Sequence, residues 1–444
     1  MDSSASGCTM EPVPVPMLHA RKGAGPHGPV GLPGACRVRC PPASPSHAMT
    51  DHSLDAHSLA LIDACSEASL ALLERNLTPH GILAASRTAA AVARRYTRIF
   101  GRDAAMCVMA MCGTGVPSLE EGAVASLDAL ASQQAPNGQI PKYVDPEGRD
   151  ADFWYLGCID ATLWWLIAVD HVRRHGAVEG DRWADGVERA IGWLLAQEHQ
   201  HFRLLQQNEA SDWADIMPRS GYVLYTNALW FDVKRRFSLC QADDTHHHFN
   251  HLFNPFQRDL PEYHRARLLQ HYARRGRRDP GLFLSFVNLA VVGDEGDVFG
   301  NLLAIQSGLA DEAMAHSIVN TIEAAHAGSS LPVRVVLHPL SHEHDLWRAY
   351  MGRHRQNLMH QYHNGGIWPF VGGFWVMALA RLGLRRAGWT ELAKLAHANA
   401  LDDWRFTEWF HGRTLVPMGM AGQSWNAATF LLARRALQGL DSAW

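Results

Sequence analysis

The chain has 444 residues, of which 47% are hydrophobic and 19% charged, so it can form a substantial globular core. Its formal net charge of −4 argues against electrostatic capture of nucleic acid. No apolar run reaches the ~18–20 residues of a membrane span, and no secretory signal is apparent at the N-terminus. We therefore predict a cytoplasmic protein whose eight cysteines are reduced.

Residues 1–48 differ in composition from the rest of the chain. They are rich in Pro, Gly, Ser and Ala and contain only two acidic residues, Asp2 and Glu11. Because no hydrophobic period is present, the segment cannot bury enough surface to become ordered. We predict a disordered Pro/Gly-rich N-terminal tail over 1–48, with an organelle transit peptide as the alternative, and one catalytic domain over 49–444.

From residue 55 onward the apolar residues recur mainly at helical spacings. The pattern predicts about twelve helices: His57–Leu73, Asp103–Cys112, Ser118–Ala131, Asp160–Arg174, Asp181–Glu198, Tyr222–Arg236, Val298–Leu309, Asp311–Ala327, Leu346–Leu358, Pro369–Leu384, Thr390–Leu401 and Ser424–Leu437. Two runs resemble strands, Phe283–Val292 and Pro332–Leu337, but they are too isolated to form a core sheet.

The helices fall into two kinds. The segments ATLWWLIAV and GGFWVMALARLGL are apolar nearly all round, so they must be buried on every side. Asp311–Ala327 and Thr390–Leu401 carry polar faces and should lie outside. This alternation predicts an all-α fold of two concentric helical rings, with long functional loops between the helices.

Three loop clusters combine carboxylates with aromatic rings. They are Asp152–Tyr155 leading to Asp160, Asp212–Asp215, and Phe406–Gly412 around Glu408. An indole environment raises the pKa of a carboxyl group, and glycoside cleavage requires one protonated and one ionised carboxyl. Helix capping is the simpler interpretation of Asp160 and Asp212, because Asp is a favoured N-cap residue.

Other chemistries have weaker support in the sequence. It contains no phosphate loop, no G-x-G-x-x-G after a strand and no G-x-S-x-G motif. The histidines 246–248, and His342 with His344, suggest a metal site. However, consecutive histidines cannot all face one ion, and no H-E-x-x-H helix is present. We predict no metal and no cofactor.

Five segments together resemble the (α/α)6-barrel glycoside hydrolases. This group includes neutral/alkaline invertases, the amylo-α-1,6-glucosidase domain of glycogen-debranching enzymes, and mannosylglycerate and glucosylglycerate hydrolases. The segments are YTRIFGRDA, IDATLWW, SDWAD with GYVLYTNALW, YHNGGIWPFVGGFWV, and FTEWFHG with GQSWNAA. The resemblance covers the chain from about residue 90 to its end and implies an (α/α)6 double barrel.

The resemblance also implies roles for individual residues. The general acid is expected at Asp160 and the general base at Glu408, with inversion of the anomeric centre and carboxyls ~6.5–9.5 Å apart. Substrate-binding residues are expected in the same clusters: Arg102, Asp103, Trp154, Asp212, Trp213, Asp215, Tyr225, Asn227, His363, Asn364, Trp368, Gln423 and Trp425.

The resulting hypothesis is an inverting, exo-acting hydrolase of a small soluble glycoside, with sucrose or a short α-glucoside as substrate. An amylo-α-1,6-glucosidase acting on short limit dextrins is the alternative within this class. A sugar epimerase or isomerase on the same barrel is the alternative from another class, with the histidines of the SHEHD run exchanging protons. We expect no nucleic-acid or membrane partner, and a homo-oligomer stays open.

Overall fold

The apolar segments of the sequence form most of the expected helices. The computed structural model describes residues 54–440 except 177, 179–180, 256–278 and 290, so the predicted tail over 1–48 lies outside the described residues. The described helices are α1 Ala56–Asn76, α2 Ala89–Ala93, α3 Gly101–Met111, α4 Pro117–Ser132, α5 Ile159–Arg174, α6 Ala184–Leu195, α7 Leu224–Arg236, α8 Ala242–Phe253, α9 Val298–Ser307, α10 Glu312–His326, α11 Ala349–Gly352, α12 Pro369–Arg381, α13 Arg385–Trp404 and α14 Ser424–Gln438, with a 3-10 turn at Arg353–Arg355.

Six of these helices form a closed inner ring. Each of α3, α5, α7, α9, α12 and α14 packs against the next, and α14 packs against α3. Every residue of α3 and of α9 is buried, as is nearly all of α5 and α12. The two helices that were predicted from their uniformly apolar sequences to be buried on every side, α5 and α12, therefore belong to the inner ring.

Six further helices lie outside this ring. The helices α4, α6, α8, α10 and α13 pack against α3, α5, α7, α9 and α12 respectively, and α1 packs against α14 and α13. The two segments predicted to lie outside are α10 and part of α13. The two concentric rings confirm the predicted all-α class and the double-ring arrangement.

Short strands occupy the loops rather than the core. A four-stranded antiparallel sheet consists of β6 Gln206–Gln207, β7 Gly221–Val223, β8 Phe286–Asn288 and β9 Val291–Gly293, and a three-stranded one of β3 Ile99–Phe100, β4 Tyr143–Val144 and β5 Ala151–Asp152. Two hairpins pair β1 Leu77–Thr78 with β2 Gly81–Ile82, and β10 Trp409–Phe410 with β11 Pro417–Met418. The run 283–292 thus contributes two strands, whereas 332–337 makes only isolated bridges.

One helix prediction was wrong, and two helices, α8 and the short α2, were not predicted. The segment 346–358 forms only α11 and the 3-10 turn, and the left-handed φ of 58° at His354 is incompatible with a continuous helix. Helix α8 was missed because its sequence, ADDTHHHFNHLF, is rich in His, Asp and Asn. Its buried residues include Phe249, Leu252 and Phe253, whose spacing provides an apolar stripe.

Helix α1 is long and apolar enough, by length and composition, to cross a membrane. Polar residues interrupt its apolar runs, so the sequence pattern did not indicate a candidate membrane span there. In the structure α1 contacts α13 and α14, and Cys65, Leu72 and Leu73 are fully buried. A core helix of a soluble protein passes the same test of length and hydropathy.

Candidate active site

The ends of the inner helices carry several of the residues that the resemblance selected. Arg102 and Asp103 lie in the first turn of α3, Asp160 in that of α5 and Tyr225 in that of α7. Trp368 is the residue before α12, and Trp425 is the second residue of α14. A closed ring of helices therefore brings side chains from distant parts of the sequence to one end of the barrel.

A cavity of about 220 Å³ lies among these helix ends, and we refer to it as the barrel cavity. Its described wall combines carboxylates, cations and aromatic rings: Arg94, Arg95, Tyr96, Phe100, Arg102, Asp103, Lys142, Tyr143, Trp213, Asp215, Tyr362, His363, Trp368, Glu408 and Trp425. Eight of the predicted site residues are in this wall: Arg102, Asp103, Trp213, Asp215, His363, Trp368, Glu408 and Trp425.

Glu408 lies in the loop just before β10 and is only 3% exposed. Its Oε1 accepts a 2.7 Å hydrogen bond from the Tyr96 hydroxyl, and its Oε2 accepts one of 2.7 Å from the Met420 amide. Burial raises the pKa of the carboxyl to about 7, against the lowering effect of both hydrogen bonds. Glu408 is thus poised to exchange a proton near neutral pH.

The tight turn beside Glu408 depends on a glycine. Gly419 has a φ of +78°, and a Cβ at that position would collide with the Glu408 carboxylate. Both observations favour glycine, since it tolerates this φ and leaves room for the carboxylate. The next residue, Met420, then presents its amide to Glu408.

Asp160 has no exposed surface and is not among the described residues of the cavity wall. Its Oδ2 accepts hydrogen bonds of 2.9 Å from both Arg102 Nη1 and the Tyr225 hydroxyl, and its Oδ1 accepts one of 3.0 Å from Cys158 Sγ. The helix is preceded by Cys158 as N-cap, without a side-chain capping bond. The helix-capping interpretation of Asp160 is therefore wrong, and the residue instead forms an ion pair directly behind Arg102.

Two further aspartates, Asp103 and Asp215, face the cavity, and their pKa values are shifted in opposite directions. Burial raises the pKa of Asp103 to about 6, despite the lowering effect of Arg102. Burial would also raise the pKa of Asp215, but His363 and Lys142 outweigh it and hold this pKa well below its usual range. The cavity therefore combines one carboxylate that stays ionised with carboxyls that titrate closer to neutrality.

Aromatic rings form the rest of the wall. His363 stacks on Trp368 with ring centroids 5.1 Å apart, and the edge of Trp213 contacts both rings. Within the part of the chain that the structure describes, the buried Nε1 atoms of Trp213 and Trp425 have no hydrogen-bond partner. Buried donors without partners are costly in a folded protein, so these two indoles are suited to meet ligand oxygens.

The other predicted binding residues do not appear in the described cavity wall. Asn227 holds the backbone of Leu205 through its side-chain oxygen and nitrogen, and Asn364 holds that of Leu340 in the same way. These two amides are positioned as structural clamps. Tyr225 donates to Asp160, as described above.

Three further predicted residues are absent from the described cavity wall. Asp212 accepts from the Ala214 amide and from Gln207, in a turn rather than at a helix N-cap. Trp154 has its ring 4.1 Å from Lys142 Nζ and supports that lysine from outside. Gln423 is fully buried immediately before α14.

Several wall residues were not singled out from the sequence. Tyr96 contacts Glu408, although the two residues are 312 positions apart in the sequence. Lys142 Nζ lies 3.2 Å from Asp215 Oδ2, and these residues are 73 positions apart in the sequence. Tyr96 occurs in the YTRIFGRDA segment, so the resemblance could have identified it. Lys142 has no comparable signal in the sequence.

The histidine runs lie elsewhere in the fold. The run 246–248 is on the outer helix α8, His342 is exposed, and His344 accepts from the Leu346 amide. Among the residues that the structure describes, no group of three or more His, Cys, Asp or Glu side chains could hold a metal ion. Neither histidine of the SHEHD run appears in the described cavity wall, where the epimerase alternative requires them.

A family model described as alkaline and neutral invertase matches residues 296–439. The chain is similar to the alkaline and neutral invertases. The matched range contains Glu408 and three of the six inner helices, while Asp160 lies outside it. The range therefore covers the proposed base but not the proposed acid.

Curated relatives extend the similarity toward the N-terminus. Alkaline/neutral invertase E, chloroplastic, of Arabidopsis thaliana is 22% identical over 349 residues, which cover 66% of this chain and 54% of that protein. Neutral/alkaline invertase 1, mitochondrial, of Oryza sativa is 30% identical over 143 residues, which cover 31% and 22% respectively. The chain thus spans about half the length of the first of these relatives.

Solved structures share the fold over most of the chain. A glycosidase variant in complex with glucose has a TM-score of 0.59 at 16% identity, covering 87% of this chain and 100% of that one. A GH63 mannosylglycerate hydrolase from Thermus thermophilus has a TM-score of 0.54 at 13% identity, covering 83% and 99%. At these identities the likeness concerns the fold. Together with the invertase matches, it confirms the predicted resemblance.

Proposed function

We propose that this protein is a glycoside hydrolase whose chemistry takes place in the barrel cavity. One observation carries the proposal: Glu408 is buried in the wall with a pKa of about 7, beside aromatic rings and the carboxyls of Asp103 and Asp215. The similarity to invertases agrees with this interpretation. Paired carboxyls in an aromatic setting are what hydrolysis of a glycosidic bond requires.

In the proposed mechanism Glu408 acts as the general base. Its two hydrogen bonds come from donors, Tyr96 and the Met420 amide, so they favour the ionised carboxylate. The ionised form takes a proton from a water molecule as the water oxygen forms a bond to the anomeric carbon. The glycosidic C–O bond breaks on the opposite face, which inverts the configuration of the sugar.

The leaving oxygen requires a proton from a general acid. We assign this role to Asp160 by the resemblance, and its contact with Arg102 places it immediately behind the wall. Asp103 is the alternative, because it faces the cavity directly and has a pKa of about 6. In either case Arg102 lies between the two aspartates, with Nη1 2.9 Å from Asp160 Oδ2 and Nε 3.5 Å from Asp103 Oδ2.

The size of the cavity favours a small substrate. A volume of about 220 Å³ lies below the range of ≈ 300–1,000 Å³ that is typical of sites for drug-sized ligands. Sucrose or a short α-glucoside is the substrate class that we propose, and the matched invertases support sucrose by their names. Limit dextrins remain the alternative substrate, and a cytoplasmic location is part of the proposal.

Hydrolysis of a panel of glycosides tests this function. The panel contains sucrose, isomaltose, maltose, glucosylglycerate and limit dextrin. We expect one of the small glycosides to release reducing sugar, and an α-glucoside to give β-glucose first because water attacks opposite the leaving group. Early proton NMR of the anomeric signals measures this before mutarotation.

Three results would contradict parts of the proposal. Early release of α-glucose would overturn inversion and the assignment of Glu408 as base. Interconversion of free sugars without hydrolysis would favour an epimerase. Cleavage of limit dextrin alone would favour the amylo-α-1,6-glucosidase alternative.

The Tyr96 hydrogen bond predicts the direction of a pH shift. It lowers the pKa of Glu408, so Tyr96→Phe should raise this pKa further above about 7. Since a base must be deprotonated, the acid limb of kcat/KM should move to higher pH in the variant. Tyr222→Phe is the control, because Tyr222 bonds to Gln206 outside the cavity. An unmoved acid limb would show that Glu408 does not govern it.

A further inference from the structure

A second depression, of about 720 Å³, is larger than the barrel cavity. It is bordered by the loop before α5, the region following α6 and the four-stranded sheet. Six carboxamide side chains line it, so we refer to it as the amide groove: Gln139, Gln197, Gln206, Gln207, Asn208 and Asn288. The proposed hydrolytic mechanism uses none of them.

The chemistry of the amide groove suits a neutral, hydroxylated ligand. Five of the six carboxamides already donate one N–H to a protein oxygen, which orients them. Each keeps a second N–H and a lone pair on its oxygen, and these match the mixed donor and acceptor character of sugar hydroxyls. Glu209 is the one charged residue among the described lining, and its Oε1 accepts a 2.7 Å hydrogen bond from the Tyr350 hydroxyl and lies 3.5 Å from Arg348 Nε. The groove therefore offers little attraction to a charged partner.

Two aromatic side chains complete the groove, and both are accessible. Tyr155 is 84% exposed, which is a large exposed fraction for an aromatic side chain. Trp193 is partly buried. Aromatic faces next to planar amides are well suited to contact the C–H faces of sugar rings. The ring of Tyr155 is therefore available to a ligand without rearrangement of the core.

A buried polar atom also points to a ligand. Gln139 Nε2 is buried in the structure and, among the described residues, has no hydrogen-bond partner. An unpaired buried amide donor costs ≈ 1–3 kcal/mol, and a ligand hydroxyl at this position would supply the missing acceptor. This observation is independent of the composition of the groove.

The amide groove and the barrel cavity are separate but are linked by one loop. They share no lining residue among those described, and the loop containing Trp154 and Tyr155 runs next to both. Trp154 contacts Lys142 of the cavity wall, while its neighbour Tyr155 lines the groove. The Trp154–Tyr155 loop therefore connects a ligand in the groove to the wall of the barrel cavity.

We propose that the amide groove is a second carbohydrate site, which binds a neutral oligosaccharide chain through Tyr155, Trp193 and the carboxamides. The inference does not rest on the hydrolytic role of Glu408. Such a site would hold either a distant part of a bound substrate or a separate saccharide, since both present the same chemistry.

Fluorine NMR of the full chain tests this site. The protein is labelled with 3-fluorotyrosine in a Glu408→Gln background, and the Tyr155 signal is assigned with Tyr155→Phe. The probes are the neutral trisaccharides maltotriose, isomaltotriose and raffinose. We expect at least one of them to shift the Tyr155 signal in a saturable manner, while the Tyr362 signal reports binding in the barrel cavity.

Matched variants identify the contacts. Gln139→Leu should weaken the affinity measured at Tyr155 by about 2–10-fold, the effect of one lost hydrogen bond. Gln356→Leu, an exposed glutamine that is not among the described groove residues, should leave the affinity unchanged. Equal saturation at Tyr155 and Tyr362 would indicate one chain across both sites, and different midpoints would indicate separate saccharides.

An absent or non-saturable Tyr155 shift with all three probes would overturn the proposal. Equal affinity in Gln139→Leu and Gln356→Leu would also contradict the assigned contacts. A wild-type protein that hydrolyses none of the panel glycosides would overturn the proposed function instead, and the Tyr155 measurement would still stand.

Discussion

Glu408→Gln is expected to lower kcat by about 10³-fold while the protein stays folded. General acid–base groups typically contribute 10²–10⁴-fold, and glutamine keeps the shape of the side chain without accepting a proton from water. One amide oxygen can still accept a hydrogen bond from Met420 or Tyr96, so the loop should keep its conformation. Steady-state kinetics on the best glycoside of the panel measures the effect.

An exposed glutamate provides the control for this change. Glu121 on α4 is exposed, and Glu121→Gln makes the same chemical substitution far from the cavity wall. We expect unchanged kcat in this control and the same melting temperature in both variants to within a few degrees. Near-normal turnover of Glu408→Gln would show that Glu408 is not the base.

Asp160→Asn is expected to have an effect of similar size on kcat, about 10³-fold, together with a loss of stability. Arg102 is a buried cation whose 2.9 Å partner is Asp160. Removing one partner of a buried ion pair costs about 3–5 kcal/mol, and the amide oxygen of asparagine should recover part of this. Urea denaturation measures the free energy of unfolding, and kinetics below the transition measures kcat.

A substrate with an activated leaving group separates the two candidate acids. Fluoride needs little protonation to leave, so loss of the general acid should affect a glucosyl fluoride far less than the natural glycoside. If Asp160 is the acid, Asp160→Asn retains most activity on α-glucosyl fluoride and Asp103→Asn does not show this selectivity. The reverse pattern would assign the acid to Asp103, and equal losses on both substrates would give each aspartate a positioning role.

The two rings of helices could be predicted because the burial of each helix follows from the residues of that helix alone. A segment such as ATLWWLIAV is apolar on every face, which shows burial before any partner is known. Helix α8 was missed because polar residues outnumber its three buried apolar ones in the sequence. In 346–358 apolar spacing suggested a helix, but a left-handed residue near its centre ended it.

The candidate site was predictable by residue type but not by orientation. The segments that carry the resemblance contain Asn227, Asn364 and Trp213. In the structure the two amides bond to backbone atoms, whereas Trp213 faces the cavity. The side-chain orientation of the two clamps depends on partners 22 and 24 residues away in the sequence. Such contacts do not affect the local hydrophobic periodicity, so the sequence pattern cannot indicate them. Lys142 was missed for the same reason, since its carboxylate partner is distant in sequence.

The first turns of the inner helices converge at one end of the barrel. The residues that determine the chemistry therefore lie apart from the residues that pack the helices together. At that end, a substitution in one turn of α3 or α14 changes the chemistry, while the remainder of each helix only has to stay buried. Loops at the same end can lengthen or change composition without disturbing the ring. A lineage built on this plan can therefore acquire a new substrate by altering loop positions at this end, at little risk to folding.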